Sequence, residues 1–263
     1  MAAIRFYQNG AGGSTGADLA VLRPTYTSGN YWYVHKSGSD ANAGTERIKP
    51  LASTTQALAY AQGGDTVVYL PGHTENIPAG YDLARAGLKI VSEGLGAQRA
   101  ALTQSYIGYI FKVDATGILI DNIYFPPSSG VGTERIQVAS TFSYIDNCTF
   151  DSGANDTARS VSYITGAGSC AINNSTFTAV AAGASIGIQV VNAMTGLKMN
   201  NITFDGSSFG WTDYALKGSA AVTNLRATRI SQLNGSHILL PTGTTGSLQQ
   251  QASTGDSRVD WTA

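Results

Sequence analysis

Asp121 and Asp146 each stand one residue before an asparagine of a recurring phrase, and they are the residues here whose types and spacing most suggest chemistry. Carried at the same place on successive turns of a stacked chain, they would lie side by side on the surface. Paired carboxylates can exchange a proton or hold a cation. Asn173 and Asn200 occupy the same place in the next two copies, so the simpler expectation is an outward polar position that tolerates Asp or Asn. Asp151, Asp156, Asp205 and Asp213 fall in turns, where Asp bonds its own backbone. His35, His73 and His237 are far apart and match no metal spacing; the first two flank a helix signal and read as structural. Gly10-Ala11-Gly12-Gly13-Ser14-Thr15-Gly16 lacks the Lys-Ser/Thr ending of a phosphate loop. No catalytic residue, cofactor or metal site is assigned.

The elements that would position these groups are written in the repeat itself. Ile120-Asp121-Asn122-Ile123-Tyr124-Phe125 returns as Ile145-Asp146-Asn147-Cys148-Thr149-Phe150, as Ile172-Asn173-Asn174-Ser175-Thr176-Phe177 and as Met199-Asn200-Asn201-Ile202-Thr203-Phe204. The step is about 25 residues, which signals a stacked repeat architecture. Val222-Thr223-Asn224-Leu225 reads as a fainter fifth copy. Apolar, β-branched and aromatic residues on both sides of each Asn predict two short strands joined at a bend. Asn tolerates the left-handed backbone of such a bend. With turns about 4.8 Å apart, Asn122, Asn147, Asn174 and Asn201 are expected to form a buried amide ladder, and Phe125, Phe150, Phe177 and Phe204 a parallel internal stack.

An opening module precedes the repeat. Tyr33-Val34-His35-Lys36-Ser37-Gly38 leads to a helix near 53–62, and Asp65-Thr66-Val67-Val68-Tyr69-Leu70 ends at Pro71-Gly72. Ser53 and Gln56 have capping-box spacing, and Gly63-Gly64 stop the helix. One mostly apolar helix before a long run of strands suits the end cap of an open edge.

Together these segments resemble single-stranded right-handed parallel β-helices, the pectin-lyase-like superfamily. The resemblance covers residues 31–240 and implies an all-β solenoid with an N-terminal capping helix. It implies little about activity, because the superfamily holds lyases, hydrolases, phage tailspikes and inert virion proteins. A lyase of this kind is expected to bring acidic calcium ligands and a basic residue onto one face, and a hydrolase two or three carboxylates. Neither set is visible in the motif-bearing turns, where Arg135, Arg159 and Arg226 are isolated. The chain therefore reads as non-enzymatic.

Composition narrows the partners. A formal charge of −1 without a Lys/Arg run argues against nucleic acid or an anionic membrane. No apolar stretch approaches the roughly eighteen residues of a membrane span, and the start lacks the apolar run of a secretory signal. Cys148 and Cys170 take different places in their turns, so stacking does not bring them together and both are expected to be buried free thiols. The Asn-x-Thr patterns at Asn147, Asn174 and Asn201 read as by-products of the ladder.

The ends are the second clue. Residues 1–30 form an arm with apolar anchors, Phe6, Tyr7, Leu19, Val21, Leu22 and Tyr26, around a Gly/Ser hinge, and residues 241–263 form a polar tail. Extended arms beside a rod suit draping over another protein. With the resemblance, they point to a structural virion protein: a decoration or cement protein on the capsid surface of a tailed phage. It would be made in the host cytoplasm, bind the major capsid protein through the arm and self-associate as a trimer. The alternative is a tail fibre or tailspike that binds or depolymerises host polysaccharide; a third reading is a secreted polysaccharide lyase.

Overall fold

The computed structural model describes residues 29–263 apart from 128–133, 154–158, 165–167, 185, 208–209, 212, 254–258 and 262–263. Alternating apolar-in, polar-out segments separated by single-residue bends fold into a nearly all-β parallel solenoid of about 6 turns. Each turn contributes three strands. In one of them, Tyr144–Asp146, Thr149–Ser152 and Arg159–Tyr163 each pair in parallel with their counterparts in the turns before and after. The first two sheets fuse where Lys198–Asp205 and Leu225–Leu233 run unbroken through the corner. The right-handed parallel β-helix anticipated from the repeat is the fold.

The corner is made by residues in the left-handed region. Asn122, Asn147, Asn174 and Asn201 have φ of 60°, 52°, 49° and 57°, a conformation that Asn accepts more readily than most residues. The fifth residue of this column is Arg229, at φ 54°, because Asn200 pairs with Thr228. Asn224 therefore does not continue the ladder. Thr195 pairs with Thr223, which puts Asn224 beside Gly196 in a second left-handed column. There Gly87, Gly117 and Gly196 share positive φ with Phe142 at 55° and Ser169 at 54°. The phrase at 222–225 matched the motif in residue type but belongs to a different corner.

The core is a column of rings. Phe125, Phe150, Phe177 and Phe204 are in register and wholly buried. Successive centroids are 4.8, 4.7 and 5.4 Å apart, with interplanar angles of 6°, 5° and 30°. Strand spacing dictates near-parallel stacking, and each ring removes a large apolar area from water. Phe111 meets Phe125 edge-on at one end. At the other, Gln232 pairs with Phe204 and is fully buried; its amide donates to the Ser236 carbonyl and accepts from Gln250, both at 2.8 Å.

The cap is the α-helix Thr54–Tyr60, α1. Ser53 is its N-cap, and its hydroxyl accepts from the Gln56 N–H at 3.2 Å. The reciprocal half of the anticipated capping box comes instead from Asp40, whose carboxylate accepts the Ser53 N–H at 3.0 Å. Glu75 accepts the Thr54 N–H through both oxygens at 3.1 Å. At the far end Arg85 donates to the carbonyls of Leu58 and Ala61, so side chains cap free backbone groups at both ends of this short helix.

Candidate functional site

Asp121 and Asp146 are in register one turn apart, but they are not a pair of surface carboxylates. Asp146 is 6% exposed and accepts from the Asn174 amide at 2.8 Å, and Asn173 is 3% exposed. At the second and third copies the place assigned to solvent is thus the sheltered one, whereas Asn147 is half-buried and Asn174 exposed; at the first copy Asn122 is buried, and at the fourth Asn201 is exposed. The reason is local. A left-handed residue is the corner itself, so its side chain leaves along the outside of the bend. Only Asn122 is roofed, by the turn whose Ser92 and Gly94 carbonyls each accept from its amide at 2.7 Å.

The amides do bond along the column, with one break. Asn147 donates to Asn122 at 3.0 Å and Asn201 to Asn174 at 3.1 Å, while Asn174 turns to Asp146. Backbone bonds run beside them, from the N–H of Asn122, Asn147 and Asn174 to the carbonyls of Asp146, Asn173 and Asn200. At the fifth turn Arg229 donates to the Asn200 side chain at 3.2 Å.

Other residues singled out above are placed as follows. His73 is fully buried, stacks on Tyr69 at 4.9 Å and contacts Glu75 at 3.1 Å through Nε2, which ties it to the cap. Cys148 and Cys170 are free and buried, and burial pushes both thiols up, so neither is a ready nucleophile. Arg159 is not isolated: it pairs with Glu134 at 2.6 Å. Arg135 donates to the Pro126 carbonyl. Asp213 pairs with Lys217. Asp205 accepts from Asn234 at 2.8 Å. Phe6, Tyr7, Leu19, Val21, Leu22, Tyr26 and Asp156 lie outside the described residues.

One cleft brings polar groups together on the outer wall, with a volume of about 570 Å³. Three segments and the residues after the first strand build it. The first is the turn Leu70–His73, in which the His73 N–H returns to the Leu70 carbonyl; Pro71 fixes one central position and Gly72, at φ 78°, supplies the positive φ that a type II turn requires of the other. The second is the loop around the short 3-10 helix Gly96–Gln98, clasped to the turn by the bond from the Gly72 N–H to the Gln98 carbonyl at 2.7 Å. The third is the strand Ile123–Phe125, which presents Tyr124. His35, Lys36, Thr74 and Arg99 complete the wall.

Arg99 lies across two turns, and its Nη1 donates to the Thr149 hydroxyl at 2.7 Å. Its Nε is buried without an acceptor among the described residues. Tyr124 donates to Asp151 at 2.8 Å; partial burial and then this carboxylate push the phenol up to about 12. The cleft was missed in the sequence because Lys36, Arg99 and Tyr124 share no motif and meet only through the coiling. Among the described residues no group of three or more His, Cys, Asp or Glu is placed to hold a metal ion.

No protein-family profile matches the chain, and no curated protein matches it. Among solved structures, a rhamnogalacturonan lyase aligns over 86% of this chain at 14% identity with a TM-score of 0.51, and the chain spans 63% of that lyase's length. The pectate lyase Pel9A aligns over 87% of this chain and 78% of its own, at 13% identity and a TM-score of 0.47. A GH136 lacto-N-biosidase from Eubacterium ramulus aligns over 89% and 68%, at 9% identity and a TM-score of 0.39. With the parallel three-strand coil, the stacked core and the capped end, the chain has the pectin-lyase-like β-helix fold.

Proposed function

We propose that this chain is a structural rod of a phage particle, a decoration or cement protein that sits on the capsid surface and contacts the major capsid protein. The observation that carries this reading is where the ionisable groups go. Asp146 with Asn174, Tyr124 with Asp151, Arg159 with Glu134, Asp205 with Asn234 and Tyr109 with Asp82 are each separated by 25 to 29 residues, the length of one turn. Side chains that could do chemistry instead stitch each coil to the next, as suits a rigid rod. The apolar anchors Phe6, Tyr7, Leu19, Val21, Leu22 and Tyr26 suit burial against a partner, because each is worth roughly 1.5 to 3 kcal/mol when fully covered. A closed shell favours a symmetric assembly, and a trimer is the proposed one.

The test is rebinding to capsids that lack this protein. The full chain is expected to bind, whereas a chain without residues 1–28 keeps its strand-rich spectrum and melting point but does not bind. Equal binding by both would place the anchor elsewhere, and binding by neither would remove the capsid assignment. The open cleft favours a second reading, a tail fibre or tailspike that binds host polysaccharide. A screen against capsular and uronate polymers decides between them: turnover or tight saturable binding supports the tailspike reading.

A further inference from the structure

The cleft is lined by cations and donors. Lys36, Arg99 and the ring of His35 face it together with the Gln98 amide, and no carboxylate lines it among the described residues. Acids on adjoining segments are engaged elsewhere: Glu75 on α1 and His73, Glu93 with Arg47, and Asp151 with Tyr124. His35 uses Nδ1 on the Ser37 hydroxyl at 2.7 Å, which leaves Nε2. Arg99 is the central group. Thr149 fixes its guanidinium, and the buried Nε has no protein acceptor among the described residues. A planar guanidinium braced at one nitrogen on the wall of the cleft matches an oxyanion better than a neutral group.

We propose that this cleft is an oxyanion-binding site, whose ligand presents a phosphate, sulfate or carboxylate group to Arg99 and Lys36. Arg99 supplies the oriented fork, Lys36 an exposed point charge at the rim, and Gln98 and Thr74 neutral polar contacts around the group. This does not depend on the role proposed for the rod, since a capsid protein and a tail fibre could each carry such a site.

The full chain is titrated with inorganic phosphate, sulfate and acetate, each at one ionic strength held constant with chloride, and followed by the backbone amide signals of Gly96, Ala97 and Gln98. Saturable shifts are expected with at least one anion, and whichever binds tightest names the group. Arg99→Gln should weaken that binding by about tenfold or more, the loss expected for a charge-assisted bond. Because Arg99 also braces Thr149, Lys36→Gln is the second variant: its side chain is exposed, the fold should be unchanged, and the dissociation constant should rise about threefold, in keeping with a rim charge. Shifts that fail to saturate with all three anions, or an affinity that both variants leave unaltered, would overturn the proposal.

Discussion

Two columns run along this rod, and they come from the same phrase. The phenylalanine column is internal, dry and uniform, with every ring wholly buried and the nearest pairs almost parallel. The asparagine column three residues away is graded: Asn122 is buried under a turn, Asn147 is half-buried, and Asn174 and Asn201 are exposed. Equal spacing in sequence therefore does not mean equal energy. A ring stacked on a ring takes its stabilisation from burial, which the coil supplies at every turn. An amide takes its stabilisation from what remains unpaired when it is lost, and that depends on whether something roofs it.

Truncation in the ring column should have the largest effect. Phe150→Ala removes a buried ring between two others and leaves a cavity, at an expected cost of about 3–5 kcal/mol in a denaturant melt. A cost near that of an exposed site would mean that the column is not a packed core. Asn122→Ala comes next, at about 1–3 kcal/mol, since it strands the Ser92 and Gly94 carbonyls in a buried place. Asn174→Ala should fall below it, so equal losses at 122 and 174 would refute the grading.

Alkali tests a bond between turns, beside the columns, more gently. The Tyr124 phenol is raised to about 12, above the ordinary value near 10, so the folded chain holds this proton more tightly than the unfolded one. The stabilisation is complete below about pH 10 and is lost as pH climbs toward 12. Tyr106 and Tyr109 are also raised to about 12, so the diagnostic result is a smaller alkaline loss in Tyr124→Phe than in the natural chain. An identical pH profile would show that the Tyr124 to Asp151 bond contributes nothing.

The smallest effect has the opposite sign. Phe142 is 53% exposed and holds φ 55° where Gly87, Gly117 and Gly196 occupy the same column. Left-handed backbone costs a residue with a side chain about 1–2 kcal/mol, and glycine's added freedom in the unfolded chain returns about 0.5–1 kcal/mol of that. Phe142→Gly should therefore stabilise by about 0.5–1 kcal/mol in the same melt; a clear loss would reveal a packing role for the ring.

Most of the fold was legible because period and residue type carry it. Asn at the bend, Phe five residues after Ile, and Ser53 before an apolar helix each express a local constraint that a stacked coil cannot avoid. Depth at the corner was not legible, since Asp146 and Asn173 are sheltered by the geometry of a left-handed bend rather than by their own polarity. Arg229 hid the fifth turn of the column, and Asn224 imitated it, because the backbone conformation is specified by register and only loosely by residue type. The cleft left no trace, as its walls come from Lys36, Gly72, Arg99 and Tyr124, which no spacing rule connects.

The buried amide that ends the ring column has one more consequence, for how the chain finds its alignment. Interchangeable rungs are a hazard: a strand slipped by one whole coil would still set Phe against Phe, so the rings alone do not penalise the error. Gln232, with acceptors waiting at Ser236 and a donor at Gln250, cannot be traded for a ring without stranding polar groups in a dry place. Phe111, edge-on at the opposite end, is equally distinct. The two ends act as bookmarks, so that a repetitive sequence still has a single way to be read.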